Sequence, residues 1–83
     1  MVKLLYFASL RETLGIGHEQ VELPDQASDV AALMRSLQAR GERWQNALAD
    51  PHLIVAVNQQ VASTDTVVRD GDEVAWFPPI TGG

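Results

Sequence analysis

Two consecutive prolines, Pro78-Pro79, follow the last apolar strand of the chain and limit how it can fold. Neither has an amide N–H to donate and each fixes φ, so strand pairing must stop at Phe77. The polypeptide then leaves the body of the protein as a stiff stalk. Beyond the prolines stand Ile80, Thr81, Gly82 and Gly83. The two glycines carry no Cβ, so the end of the chain is no wider than its backbone and can enter a narrow cleft or tunnel. Six extended residues, Pro78 to Gly83, reach on the order of 20 Å, enough to carry the Gly83 carboxylate deep into another protein. Nothing in this tail buries enough surface to offset the entropy of ordering it, which predicts a flexible tail when the protein is alone. The sequence divides into a body, residues 1–77, and a C-terminal tail, residues 78–83.

The body has material for one core, because a chain of 83 residues buries only about 60 to 65% of its unfolded surface on folding. The apolar share is 46%, as in ordinary globular domains. No apolar run approaches the roughly 18 residues of a membrane span, and no signal peptide opens the sequence. The expectation is a cytoplasmic protein with no membrane association. Cysteine is absent, which excludes disulfides, thiolate metal sites, iron–sulfur clusters and a cysteine persulfide. Any sulfur chemistry must fall to the chain terminus. With 6 basic against 11 acidic residues, net −5, the chain lacks the Lys/Arg cluster that nucleic-acid binding needs, and a basic protein surface is the expected partner.

Periodicity supplies the elements. Val2 to Ala8 alternates as a strand, with Val2, Leu4, Tyr6 and Ala8 on the inner side and Lys3, Leu5 and Phe7 on the outer. Ser9 is placed to cap a short helix, with Glu12 completing a capping box and Gly15 and Gly17 ending it. His18 to Leu23 alternates again and is expected to pair with the first strand until Pro24-Asp25 breaks it. Ser28 or Asp29 can cap the main helix, whose Val30, Leu33, Met34 and Leu37 recur on one face and which Gly41 stops. Arg35, Gln38 and Arg40 fall outside that stripe, where basic residues late in a helix complement its negative end. Trp44 and Leu48 pin a short helical turn to the core. Leu53 to Val57 is an unbroken apolar run between Asp50-Pro51 and Asn58-Gln59, the pattern of an interior strand covered on both faces. Val61 to Val68 is short and irregular, and Asp70-Gly71-Asp72 turns the chain into a final strand, Glu73 to Phe77. The order β, short α, β, α, β, β is what a β-grasp domain requires.

On the final strand Val74 and Trp76 alternate with Glu73, Ala75 and Phe77, the polar member marking the outer side. Phe77 and Phe7 then become neighbours. With Leu5 they form an apolar patch at the root of the tail, on the face away from the helix. Such a patch either receives a partner or is covered by the loop around Trp44 or Val61 as a second small core. Other constellations carry no chemistry. His18 and His52 each lack a carboxylate or second imidazole at ligand spacing. Asp70-Gly71-Asp72-Glu73 lacks the spaced oxygens and closing glutamate of a calcium loop and reads as a turn. With no Gly-rich phosphate loop, no nucleophile elbow and no nucleophile beside a base, the chain is expected to hold no metal or cofactor and to catalyse nothing by itself.

The ending Phe77-Pro78-Pro79-Ile80-Thr81-Gly82-Gly83, preceded by Asp70-Gly71-Asp72-Glu73-Val74-Ala75-Trp76, resembles the small subunits of molybdopterin synthase, the MoaD-type sulfur carriers. Lys3-Leu4-Leu5-Tyr6-Phe7-Ala8 with Leu10-Arg11-Glu12 opens the chain as that family does, and Val55-Ala56-Val57-Asn58-Gln59 stands where its central strand and turn would. A terminal Gly-Gly alone is shared with ubiquitin-like modifiers and other sulfur carriers; the full ending is the specific signal. The resemblance implies a ubiquitin-like β-grasp fold of the α+β class. Its mixed sheet has four to five strands crossed by one main helix, and its last strand lies parallel to the first, with the tail projecting from the sheet's edge.

The resemblance also implies a chemistry. A separate E1-like adenylyltransferase uses ATP to adenylate Gly83, and sulfide from a donor attacks the acyl group to leave a thiocarboxylate, a 1-thioglycine, at the end of a tail that includes Thr81 and Gly82. The small subunit itself binds no ATP. The large subunit, in a heterotetramer of two small and two large subunits, holds the catalytic site, where the thiocarboxylate donates sulfur to cyclic pyranopterin monophosphate to form the molybdopterin dithiolene. Phe7, Val61 and Phe77 belong to the contact with that subunit, as do Pro78 and Pro79 at the tail root. An alternative keeps the tail chemistry and changes the acceptor: a carrier for thiamin or tRNA thiolation, or a ubiquitin-like modifier joined to a lysine. A third reading is a pure interaction module whose tail has no chemical role.

Overall fold

Alternation along the first strand decides the layout. In the computed structural model, which describes residues 1–23 and 28–79, strand β1 (Val2–Tyr6) buries Val2, Leu4 and Tyr6 and turns Lys3 and Leu5 to the other side. Helix α1 (Ala8–Leu14) follows at once, burying Leu10 and Leu14, and closes at Gly15, whose φ of 80° is the left-handed conformation glycine adopts without strain. The helix begins two residues earlier than a cap at Ser9 would place it. Ala8 takes a positive φ of 54°, so Phe7 is the N-cap and no side chain caps the helix; Ser9 lies inside it, as Ala8 does, rather than ending the strand.

Strand β2 (His18–Val21) pairs antiparallel with β1 and ends before Glu22 and Leu23; the expected break at Pro24-Asp25 lies outside the described residues. Helix α2 (Val30–Gln38) is capped by Asp29, whose Oδ1 accepts the Ala32 N–H at 2.8 Å. Val30, Leu33 and Leu37 are buried and Met34 packs beside them. Gly41 does not stop this helix, which ends at Gln38. With φ of 149°, a value side chains rarely allow, Gly41 starts helix α3 (Glu42–Ala47) instead, and α3 sets Trp44 against the core ahead of the buried Leu48.

Strand β3 (Ile54–Val57) and strand β4 (Gln60–Ala62) form a hairpin whose turn residues Asn58 and Gln59 both take positive φ. Strand β5 (Glu73–Phe77) completes a mixed sheet of order β2-β1-β5-β3-β4, with β1 and β5 parallel and the other pairings antiparallel. This is the expected β-grasp arrangement. Val2, Leu4, Tyr6, Val55, Val74 and Trp76 meet Leu10, Leu14, Val30, Leu33 and Leu37 in one core, and each large apolar side chain fully buried there contributes about 1.5 to 3 kcal/mol.

Two expectations need correction. The run in β3 is covered on both faces only at Val55 and Ala56, because Ile54 on the side away from the helices is 39% exposed. The tail also does not leave from the sheet's edge. The β3–β4 hairpin pairs along the free side of β5, which makes β5 the middle strand, and the tail departs from the centre of the sheet.

Candidate functional site

The parallel register sets Leu5 beside Ala75 and Tyr6 beside Trp76, and the Phe7 N–H donates to the Trp76 carbonyl at 3.3 Å. One step further along both strands stand Phe7 and Phe77. Their rings stack with centroids 4.6 Å apart and planes 7° from parallel. Antiparallel pairing on the other side of β5 brings Ile54 beside Phe77 and Ala56 beside Ala75, and Ala56 in turn faces Val61 on β4. Leu5, Phe7, Ala56, Val61, Ala75 and Phe77 share the sheet face opposite the helices. They line an open groove of about 370 Å³, whose apolar members are Leu5, Phe7, Ala56, Val61, Ala75 and Phe77 and whose polar members are Gln59 and Glu73.

The covering layer considered for this patch does not form among the described residues. Trp44 lies on the other face of the sheet, edge-on to Tyr6 at 5.6 Å, and Val61 stands 81% exposed at the end of the groove. Phe7, Val61 and Phe77 are therefore brought together on one surface. Pro78 and Pro79 are half-buried at the end of β5, so the root of the tail rests against the body. Ile80, Thr81, Gly82 and Gly83 lie outside the described residues.

Beneath β1, on the helix side, is a polar and aromatic network that periodicity did not reveal. Glu19 points inward from β2 and accepts hydrogen bonds from the Tyr6 hydroxyl at 2.8 Å and from both terminal nitrogens of Arg40 at 2.8 and 2.9 Å. Arg40 also lies over the Trp44 ring at 4.5 Å, and Tyr6 stacks on Trp76 at 5.8 Å. Burial pushes the Tyr6 hydroxyl far above its ordinary range, reinforced by the Glu19 carboxylate. For Glu19, burial acts upward, but the hydrogen bonds from Arg40 and Tyr6 outweigh it and hold the carboxyl below its usual value. The one signal available in the sequence was an acidic residue on the inward-facing side of a strand, alternating with Val21 and Leu23. Trp76, buried at the centre, leaves its indole N–H without a partner among the described residues.

The remaining polar clusters are structural. His18 is exposed, and His52, contrary to the expectation that no carboxylate stands near it, lies 3.5 Å from Asp50 on an exposed turn where Asp50 also accepts the His52 N–H. Asp70 pairs with the Met1 amine, while Asp72 accepts the Arg69 N–H at 2.8 Å and the Asn58 side-chain amide at 3.1 Å, which makes the Asp70–Glu73 segment a turn held by its own carboxylates. Among the described residues no group of three or more His, Asp or Glu side chains could hold a metal ion, and no helix is long and apolar enough to cross a membrane.

The family model described as the ThiS family matches residues 4–83. The chain is 45% identical to the molybdopterin synthase sulfur carrier subunit of Escherichia coli over 83 residues, 100% of each chain, and 37% identical to that of Haemophilus influenzae, again 100% of each. Among solved structures, SAMP1 from Haloferax volcanii superposes with a TM-score of 0.79 at 26% identity, covering 99% of this chain and 98% of that one.

Proposed function

The chain belongs to the ThiS family, and from that membership we propose that it is a sulfur carrier subunit of molybdopterin synthase, made of a β-grasp body, residues 1–77, and a working tail, residues 78–83. The observation that carries this reading is the identity of 45% with the Escherichia coli sulfur carrier subunit across the whole of both chains. The site geometry supports it, because a stalk of two prolines begins where an uncovered aromatic pair offers a docking surface. In this reading the Gly83 carboxylate attacks the α-phosphorus of ATP on an E1-like adenylyltransferase, releasing pyrophosphate. Sulfide from a donor then adds to the acyl carbon and AMP leaves, which places a thiocarboxylate on Gly83. Thr81 and the Cβ-free Gly82 let that atom pass down a narrow channel.

The partner that consumes it is the large synthase subunit, in an assembly of two small and two large chains, with Phe7, Val61, Phe77, Pro78 and Pro79 as the contact. There the thiocarboxylate sulfur attacks cyclic pyranopterin monophosphate, and water hydrolyses the resulting acyl thioester, leaving sulfur on the acceptor and a carboxylate on Gly83, so the two sulfurs of one dithiolene consume two charged carriers. The partner supplies the closed pocket and the positioning; this chain supplies reach and a nucleophile.

Mass spectrometry of the C-terminal fragment tests the proposal, after incubation with ATP, a sulfide source and the activating enzyme. The fragment is needed because oxidation of Met1 or Met34 mimics the mass of one oxygen exchanged for sulfur. Sulfur at Gly83 is the expected result; an unmodified carboxylate, while the same enzyme modifies a control carrier, overturns it. A second reading, a ubiquitin-like modifier, is favoured by the likeness to SAMP1, a small archaeal modifier protein. It predicts Gly83 in an isopeptide bond to lysine, which tryptic digestion of a conjugate reveals as a branch of residues 70–83 on the target lysine, because Arg69 is the last tryptic site of the chain.

A further inference from the structure

Lysine is almost missing from this chain. Of its 6 basic residues, Lys3 is the single lysine and the rest are arginines. The count matters where an end group is activated, because an acyl adenylate is open to amines as well as to sulfide. The amine nitrogen bonds to the acyl carbon, the bond to AMP breaks, a proton passes to solvent, and Gly83 ends in an isopeptide. A guanidinium stays protonated at neutral pH and carries charge without that reactivity.

The fold also puts the one lysine far from the tail. Lys3 is exposed near the start of β1, and its register partners are Gln20 on β2 and Glu73 at the start of β5. Along β1 it stands four residues from Phe7, about 13 Å at the rise of a strand. Because β1 and β5 run parallel, the tail leaves from the opposite end of the sheet, past Phe77. An antiparallel pairing of the same two strands would have set Lys3 beside that root. Pro78 and Pro79 take the first two steps away with φ fixed. Residues 80–83 remain for a return, about 14 Å at full extension, and roughly half of that only recovers the outward run of the prolines. The acyl carbon of Gly83 then falls about 6 Å short of the level of Lys3 in its own chain, a gap that closes only with tail and lysine stem both stretched to their limit.

We infer that this placement sets the nucleophile specificity of the activated terminus: the parallel pairing of β1 with β5 keeps the only side-chain amine of the body out of reach of its own Gly83, so the acyl group passes to sulfide and the carrier does not acylate itself. The inference rests on the sulfur-carrier reading, which requires an activated Gly83.

Moving the amine supplies the test. The full chain is prepared by intein cleavage with Gly83 as a thioester, an acyl donor that needs no activating enzyme. It is held dilute at about pH 8, where part of a lysine population is neutral and attack within one molecule outruns attack between molecules. Ile54→Lys puts an amine beside Phe77, at a position 39% exposed. Gln20→Lys adds the same amine beside Lys3, at the far end. The unmodified chain and Gln20→Lys are expected to hydrolyse to the carboxylate, and to give thiocarboxylate when hydrosulfide is added. Ile54→Lys is expected to close on itself at least about tenfold faster than it hydrolyses, yielding a product one water lighter than the carboxylate form and a cross-linked peptide joining residue 54 to Gly83. Melting temperature checks that each variant is folded; Ile16→Lys, at a 37% exposed position next to the β1–β2 junction at the tail end, takes the place of Ile54→Lys where that variant does not fold. A Lys3–Gly83 cross-link within one unmodified molecule overturns the inference, as does equal behaviour of the near-end and far-end lysine variants. Because the thioester is made without the activating enzyme, these outcomes are separate from the fate of the sulfur-carrier reading, which an unmodified Gly83 in the enzymatic assay overturns on its own.

Discussion

Replacing Glu19 by Gln removes a charge from the network with Tyr6 and Arg40 while keeping size and a hydrogen-bond acceptor. Glu19 is 20% exposed and Arg40 35%, so their pair lies between the screened surface bridge, worth less than about 1 kcal/mol, and the fully buried one, whose rupture costs several. Bidentate geometry from the two Arg40 nitrogens, with a third bond from Tyr6, places the loss for Glu19→Gln at about 1 to 2 kcal/mol at neutral pH. In a domain of this size that lowers the melting temperature by roughly 4 to 16 °C.

The same variant has a pH signature whose sign is fixed. Burial pushes the Glu19 carboxyl up, but the Arg40 and Tyr6 bonds dominate and hold it below 4.5 in the folded protein. A depressed folded pKa means that the stabilisation is fully present above the unfolded value and is lost as pH falls through the folded one. Thermal melts of both proteins should therefore differ by a constant interval from pH 7 to about pH 5, and converge below 4.5 as Glu19 takes up its proton. Identical melting at pH 7 refutes the assignment of stability to this network. A gap that persists unchanged once Glu19 is protonated refutes its electrostatic origin.

Two further outcomes check other parts of the structure. Asp29→Ala removes the side chain that caps α2 through the Ala32 N–H, and should lower the urea midpoint by the equivalent of about 1 kcal/mol with an unchanged slope. Val61→Lys alters a side chain 81% exposed on the groove, so the fold should melt within about 1 °C of the unmodified protein. Its affinity for the large subunit should fall on the order of tenfold or more, and unchanged affinity would remove Val61 from the docking surface.

What the sequence made legible were features with local causes. Alternation in Val2–Tyr6 and Glu73–Phe77 follows from the two-residue period of a strand, and the structure buries Val2, Leu4, Tyr6, Val74 and Trp76 in the core on the helix side, with Ala75 buried on the opposite face. Asp29 reads as a cap because its side chain has to travel only three residues to reach an N–H. The Phe7–Phe77 pair was reachable as well, since two outward aromatics on strands that run side by side must meet.

Less legible were choices made by packing. Ser9 has the right chemistry for a cap, yet the turn into α1 happens at Ala8, where the positive φ is set by the need to bring Leu10 under the sheet while β1 still pairs at Phe7. Gly41 has the composition of a helix stop, but the same backbone freedom serves equally to start the next helix. Arg40 read as a complement to a helix end because its real partner, Glu19, is 21 residues away and faces it only after β2 has paired with β1.

The position of β5 shows why this matters for function. Had the tail left from an edge strand, one set of ladder hydrogen bonds would fix its origin, and edges fray or pair with other chains. As the middle strand, β5 is held by β1 on one side and β3 on the other up to Phe77, and the Phe7 stack and Ile54 register clamp that last residue from both neighbours. Local opening at the end of β5 must then break contacts on two sides at once, which makes the last strand residue a fixed point. Pro78 and Pro79 continue from it with φ locked. The direction in which a reactive end group leaves the body is thus decided by the sheet, and the prolines only preserve it. A weakened β3–β5 pairing should therefore misdirect the tail before it unfolds the core, a loss of transfer that shortening the tail would not reproduce.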